Sequence, residues 1–320
     1  MLDTLQLVFG AVATKDIQPV LTHVLIYPGR LQGGDGIITI DAPFDCDLPT
    51  MAVPGQKFLN SVIACDGTPK LAVTDGGKMS IKKGSFKAYL STLPAENFPM
   101  DEKKGEPQKV PDTFLLALKS LRPFVSKDAS RPWSMGIKFS GCFCFATNNI
   151  VLARLPIDWT APDIVLPAVA INALIEMREL PSTMYVEEGS ATFEYNDGSW
   201  LKTRTTTAEW PNVEAMLEKF LFDLDPVPEG LLAALRKVKK FCTNVKFPQV
   251  TLSEEGVSSD DGGGDIASVE GLKLHKSLFN ADMLELVLES ATHVDFSGYP
   301  SACTFSGADN LVGLFIGVKP

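Results

Sequence analysis

A helix-like segment begins about every 55 residues along this chain, and that period constrains the fold more than any other feature. Apolar residues recur at spacings of three and four, the helical period, in six places. They are Leu2, Leu5, Phe9 and Val12; Phe58, Leu59, Val62 and Ile63; Leu115, Leu118, Leu121 and Val125; Val169, Leu174 and Ile175; Leu231, Leu235, Val238 and Cys242; and Met283, Leu284, Val287 and Leu288. The segments start near positions 2, 55, 112, 167, 228 and 279. Between them lie short runs rich in Val, Ile, Phe and Thr, each closed by turn residues. Val24 to Tyr27, Gly36 to Ile40, Lys70 to Thr74 before Asp75-Gly76-Gly77, Ala191 to Tyr195 before Asn196-Asp197-Gly198, and Val312 to Val318 are such runs. Each repeat therefore reads as one helix followed by three or four antiparallel strands. One helix on a small sheet buries too little to stand alone, so two repeats per domain are expected.

A second periodicity supports that pairing. Ala95-Glu96-Asn97-Phe98-Pro99 closes the second repeat and Ala208-Glu209-Trp210-Pro211 the fourth, about 112 residues later. The polar stretch Asp101 to Lys109 reads as a linker. An α+β chain of three domains is expected, at residues 1–109, 110–219 and 220–320.

Charge is segregated. The net charge is −10, yet Phe114 to Arg131 carries four bases against Asp128, and Leu231 to Lys246 carries five bases and no acid. A solvated helix face is the ordinary reading of one such run. Taken whole, the net charge argues against a nucleic-acid binder, but two such runs at matching places in a repeat are harder to dismiss as mere solubility. The longest apolar stretches, such as Ile164 to Ile175, are broken by Pro167 and Asn172, too short for the roughly 20 residues of a membrane span. Met1-Leu2-Asp3-Thr4 lacks the basic start of a secretory signal, and the six cysteines do not form a disulfide framework, so a cytoplasmic protein is expected.

No constellation reads as an active site. Cys142-Phe143-Cys144 is too tight for a metal knuckle, and His23, His275 and His293 stand apart from one another. The acidic, glycine-rich stretch Asp260 to Asp265 lacks EF-hand spacing and reads as a hairpin tip. No enzyme activity, metal or cofactor is expected.

Several runs resemble the bacterial sliding clamp, the beta subunit of DNA polymerase III, phage versions included. Leu90-Ser91-Thr92-Leu93-Pro94-Ala95-Glu96-Asn97-Phe98-Pro99 is similar to the end of that family's first domain. Lys15 with Pro19-Val20-Leu21, Ala146-Thr147-Asn148-Asn149-Ile150-Val151-Leu152-Ala153, Thr203-Arg204 to Trp210-Pro211, Phe279-Asn280 and Val318-Lys319-Pro320 follow in family order along the whole chain.

The resemblance implies three clamp-type domains joined head to tail into a ring, a homodimer in the simplest case, around duplex DNA without sequence specificity. The function implied is that of a processivity factor in DNA replication, tethering a DNA polymerase and the clamp loader through short linear peptides. On this reading Lys15, Lys119, Arg122, Lys127, Arg131, Arg236, Lys237 and Lys240 face DNA. A partner-peptide cleft would use Trp133, Thr147, Asn149, Leu152, Pro211, Met216, Phe247, Asn280, Met283, Val318 and Pro320. Leu90, Phe241 and Cys242 would meet across the ring interface. Asn149-Ile150-Val151 stands where the family has Gly-His-Arg, and the chain stops at Pro320, so peptide specificity should differ from the family's. The competing reading is a phage-type, clamp-like decoy that binds replication proteins without encircling DNA.

Overall fold

The computed structural model describes residues 1–15, 18–177, 179–222, 224–259, 264–272 and 274–319. In chain order, the first repeat holds α1 (Leu2–Phe9), β1 (His23–Tyr27), β2 (Arg30–Gly34), β3 (Ile38–Pro43) and β4 (Met51–Pro54). The second holds α2 (Gly55–Ile63), β5 (Lys70–Val73), β6 (Met79–Lys83), β7 (Phe86–Leu90) and β8 (Glu106–Lys109). The third holds α3 (Phe114–Leu121) and two long strands, β9 (Gly136–Thr147) and β10 (Val151–Pro167). The fourth holds α4 (Ala168–Glu176), β11 (Thr183–Glu187), β12 (Ser190–Glu194), β13 (Trp200–Arg204) and the short α5 (Val213–Leu217). After β14 (Asp225–Pro226), the fifth holds α6 (Leu231–Val238), β15 (Gln249–Ser253), β16 (Gly256–Ser259), β17 (Ile266–Ala267) and β18 (Ser277–Asn280). The sixth holds α7 (Ala281–Ser290), β19 (Ala291–Asp295), β20 (Ala302–Gly307) and β21 (Val312–Ile316).

All six helices expected from the apolar period are present. The third repeat departs from the expected strand count: instead of short strands it has one long ribbon. β9 and β10 stay paired from Leu152–Thr147 to Pro167–Gly136, with register shifts between Pro156 and Ala161 and between Ala161 and Ile164. Bulges bend a ribbon without ending it, which is how two strands do the work of four here.

Contacts group the chain into two compact units. One comprises Met1–Leu115 and Val169–Thr205, the other Leu116–Ala168 and Thr206–Pro320. The first unit contains an eight-stranded antiparallel sheet in the order β4-β1-β2-β3-β13-β12-β11-β8 and a three-stranded sheet β5-β6-β7. Helices α1 and α2 pack together here, and α1 lies on β2 and β3. A Cβ on Gly33 would sit 2.7 Å from Val12 Cγ2 and 3.0 Å from the Val8 carbonyl oxygen, so glycine is what lets α1 lie this close to the sheet.

The second unit contains a six-stranded sheet, β14-β19-β20-β21-β10-β9, and a four-stranded sheet, β17-β16-β15-β18. Its core is aromatic, with Phe279 5.7 Å from Phe315 and 5.7 Å from Phe296 between ring centroids. Helix α6 buries Leu231, Ala234, Leu235 and Val238 and exposes Arg236 and Lys237, the amphipathic division read from the sequence. Asn280 caps α7, its side chain accepting a hydrogen bond from the Met283 amide at 3.0 Å.

Candidate functional site

In the second unit, the β9–β10 turn and the β10–β21 pairing build a cavity of about 280 Å³. The turn is held tightly. Asn148 Oδ1 accepts from the amides of Ile150 at 3.1 Å and Val151 at 2.8 Å, and the Thr147 hydroxyl donates to the Val151 carbonyl at 2.7 Å. Asn149 takes a left-handed φ of 73°, which asparagine tolerates better than most residues. Beyond the turn, Leu152 pairs with Thr147 on one side and Leu314 on the other. The floor is apolar: Phe145, Leu152, Val213, Leu217 and Leu314 form one buried cluster, with Trp210 packed against it. The indole of Trp210 meets Trp133 edge to face at 5.3 Å. Met216, 47% exposed, stands at the rim as an adaptable thioether.

Of the residues expected in a partner cleft, Trp133, Thr147, Asn149, Leu152, Pro211 and Met216 line this cavity. Phe247, Asn280, Met283 and Val318 do not. Phe247 is exposed, Asn280 is occupied as the α7 cap, and the Val318 carbonyl accepts from the Tyr299 hydroxyl at 2.9 Å. Met283 acts from behind, its sulfur accepting from Asn148 Nδ2 at 3.1 Å, so it buttresses the turn. Pro320 lies outside the described residues. The sequence reading missed Ile150, Val151, Val213, Ala302, Leu314 and Ile316 as lining residues. Arg131, assigned there to DNA, lines the mouth of the cavity. Leu314 and Ile316 arrive through strand pairing, and the only sequence signal for them was the apolar run Val312 to Val318.

The bases assigned to DNA, Lys15, Lys119, Arg122, Lys127, Arg131, Arg236, Lys237 and Lys240, are all exposed. They differ in what surrounds them. Arg236 is clasped by two carboxylates of α7, its Nε donating to Glu285 at 2.7 Å and its Nη2 to Glu289. Lys239 bridges Asp282 at 2.5 Å and Glu285 at 2.7 Å. The hydrogen bonds from Lys239 and then Arg236 hold the Glu285 carboxyl below the usual carboxylate range. Lys119, Arg122, Lys237 and Lys240 have no ion-pair partner among the described residues.

Two of the three residues expected at a ring interface are buried within the chain. Leu90 and Cys242 are core residues, whereas Phe241 is 56% exposed. On β7, an edge of its three-stranded sheet, the large apolar side chain presented outward is Tyr89, 50% exposed. In the tight Cys142-Phe143-Cys144 run, Cys144 is buried and burial pushes its thiol well up, which is packing behaviour.

A chain of six helix-plus-antiparallel-strand repeats, with large sheets joining strands of different repeats, has the architecture of a sliding clamp. No protein-family model matches the sequence, and no curated protein matches it significantly. Solved structures do match. The DNA polymerase sliding clamp from Bacillus subtilis aligns with a TM-score of 0.82 at 15% identity, over 100% of this chain and 97% of that one. The Pseudomonas aeruginosa DNA polymerase III subunit beta bound to griselimycin gives 0.81 at 17% identity with the same coverage. The Helicobacter pylori beta clamp bound to a DNA ligase peptide gives 0.80 at 15%, again over 100% and 97%. This chain has the fold of the DNA polymerase III beta sliding clamps along its whole length.

Proposed function

We propose that the protein is a non-catalytic sliding clamp whose copies close head to tail around duplex DNA and hold polymerase and clamp-loader peptides in the second unit's cleft. The observation that carries the reading is the full-length correspondence with clamp structures, at a TM-score of 0.82 over 100% of the chain. Two physical features support it. Exposed Lys119, Arg122, Lys237 and Lys240 supply phosphate contacts without base readout, which permits sliding. The edge strand β7, carrying Tyr89, is a liability in a monomer that pairing with the next copy removes. In this reading residues 1–109, 110–219 and 220–320 are the three domains, and Phe241 and Tyr89 replace Leu90 and Cys242 as the side chains that meet between copies.

A second reading, the clamp-like decoy, draws on the α6–α7 clasp: Arg236 and Lys239 spend their charge on Asp282, Glu285 and Glu289. Loading onto nicked circular DNA separates the two readings. A clamp has a light-scattering mass near twice 34.6 kDa, stays on the circle and is released when the circle is linearised. Lys119→Glu with Lys240→Glu should weaken retention without unfolding, and Met216→Asp should abolish polymerase stimulation while retention persists. A protein that never stays on circular DNA is not a clamp.

A further inference from the structure

The first unit contains a second groove built on the same backbone frame as the cleft. Thr39 pairs with Gly34 and Lys202, just as Leu152 pairs with Thr147 and Leu314. Asp35 Oδ1 accepts from the amides of Ile37 at 2.8 Å and Ile38 at 2.9 Å, the bonds that Asn148 makes to Ile150 and Val151. The Arg204 amide donates to the Ile37 carbonyl at 2.9 Å, and the Ile316 amide to the Ile150 carbonyl at 3.1 Å. Gly36, at φ 86°, takes the left-handed place of Asn149. Phe98-Pro99 closes this groove as Trp210-Pro211 closes the other. The result is a cavity of about 370 Å³, no smaller than the cleft.

Its chemistry is inverted. Thr39, Lys202, Arg204 and Asp101 stand where the cleft has Leu152, Leu314, Ile316 and Val213. The inner polar groups satisfy one another: Thr39 Oγ1 donates to Asp101 Oδ2 at 2.6 Å, and Lys202 Nζ lies 3.1 Å from Glu187 and 3.7 Å from Asp101. The outer ones do not. Among the described residues neither Arg204 nor Glu188 has an ion-pair partner, and Ile37 and Met100 are about half exposed on the same walls.

We infer that this groove is a second binding site, for an extended peptide that carries an acidic and a basic side chain flanking an apolar one. The acid meets Arg204, the base meets Glu188, and the apolar side chain covers Ile37 and Met100. The choice of a peptide rests on reading the cleft of the second unit as a peptide site, since the two share one frame. The charge pattern is this groove's own: Ile316 stands in the cleft at the place of Arg204, and Arg131 is the one charged residue lining the cleft among the described residues.

Each groove holds one methionine, so methyl NMR on the full-length protein with ¹³C-labelled methionine reads them separately. The probes are a synthetic peptide of repeating Glu-Leu-Lys and one of repeating Leu-Phe between solubilising ends. The Glu-Leu-Lys peptide should shift the Met100 methyl saturably and leave Met216 in place. Arg204→Glu and Glu188→Lys should each weaken it about tenfold, the scale of losing one exposed ion pair and adding one repulsion. Met216→Asp should not change it. No shift at Met100, a shift at Met216 alone, or unchanged affinity in both charge variants overturns the inference. Failure of the Leu-Phe peptide to shift Met216 while Met100 responds overturns the cleft reading and leaves this site standing.

Discussion

The sheet at β2-β3-β13 and the sheet at β9-β10-β21 share a hydrogen-bonding register and differ in what stabilises them. In the first unit Asp41 is fully buried and receives hydrogen bonds from Tyr27, Arg30 and, at 3.1 Å, Gln32. Arg30 continues to the Gly198 carbonyl at 2.7 Å, and Gln32 holds the Asp101 backbone through its amide and carbonyl. Burial and then the bond to Asp41 push the Tyr27 hydroxyl well above its ordinary range. In the second unit Arg154 occupies the position of Asp41, Phe145 that of Gln32 and Phe143 that of Arg30. The Arg154 guanidinium lies 4.7 Å from the Phe143 ring centre, and among the described residues its Nε has no hydrogen-bond partner. One frame thus accepts either a closed polar network or an aromatic stack. The difference reaches the surface as one charged groove and one apolar cleft.

The largest expected effect comes from breaking the polar network. Asp41→Ala strands Arg30, Gln32 and Tyr27 without their shared acceptor and should cost about 3–5 kcal/mol in urea unfolding. A loss below about 1 kcal/mol would show that the network is not what holds this sheet.

A substitution that imports one frame's chemistry into the other sharpens the contrast. Leu152→Thr places in the cleft the residue found at 39, but the Asp101 that satisfies Thr39 is replaced there by Val213. It should cost about 2–4 kcal/mol, part cavity and part unpaired hydroxyl, and weaken binding of an apolar peptide. Wild-type stability in urea would mean that the hydroxyl finds a partner the wild-type geometry does not offer.

The smallest effect belongs to the α6–α7 clasp. The Glu285 pKa is depressed in the fold, so its contribution is present above the ordinary glutamate range and disappears as pH falls through the folded value. The pairs are partly exposed, so Glu285→Gln should cost no more than about 1 kcal/mol at pH 7, and the gap to wild type should close in acid. A gap that does not change with pH would assign the loss to packing.

The local frame was legible in the sequence. Apolar residues three and four apart located the helix that opens each of the six repeats, though not the short α5, because burial of one helix face imposes that spacing whatever lies opposite. The repeated turn of an Ala-Glu pair followed by an aromatic and Pro marked two equivalent places, and the basic residues of α6 were visible on its exposed face. Thr147, Asn149, Leu152 and Pro211 were found because they lie in runs that resemble the sliding clamp's, whereas Leu314 and Ile316 lie in an apolar run between such motifs.

What the tertiary structure alone decided is which strands meet. β13 joins β3 and β21 joins β10, pairings between repeats far apart in the chain, and alternation along a strand fixes its faces without naming its neighbour. The same holds for charge. Lys202 is satisfied by Asp101 and Glu187, and Arg236 is spent on Glu285 and Glu289, while among the described residues Arg204 and Lys240 have no ion-pair partner. A sequence counts charges, but whether a charge is available to a partner depends on distances of a few ångströms that only the folded chain sets.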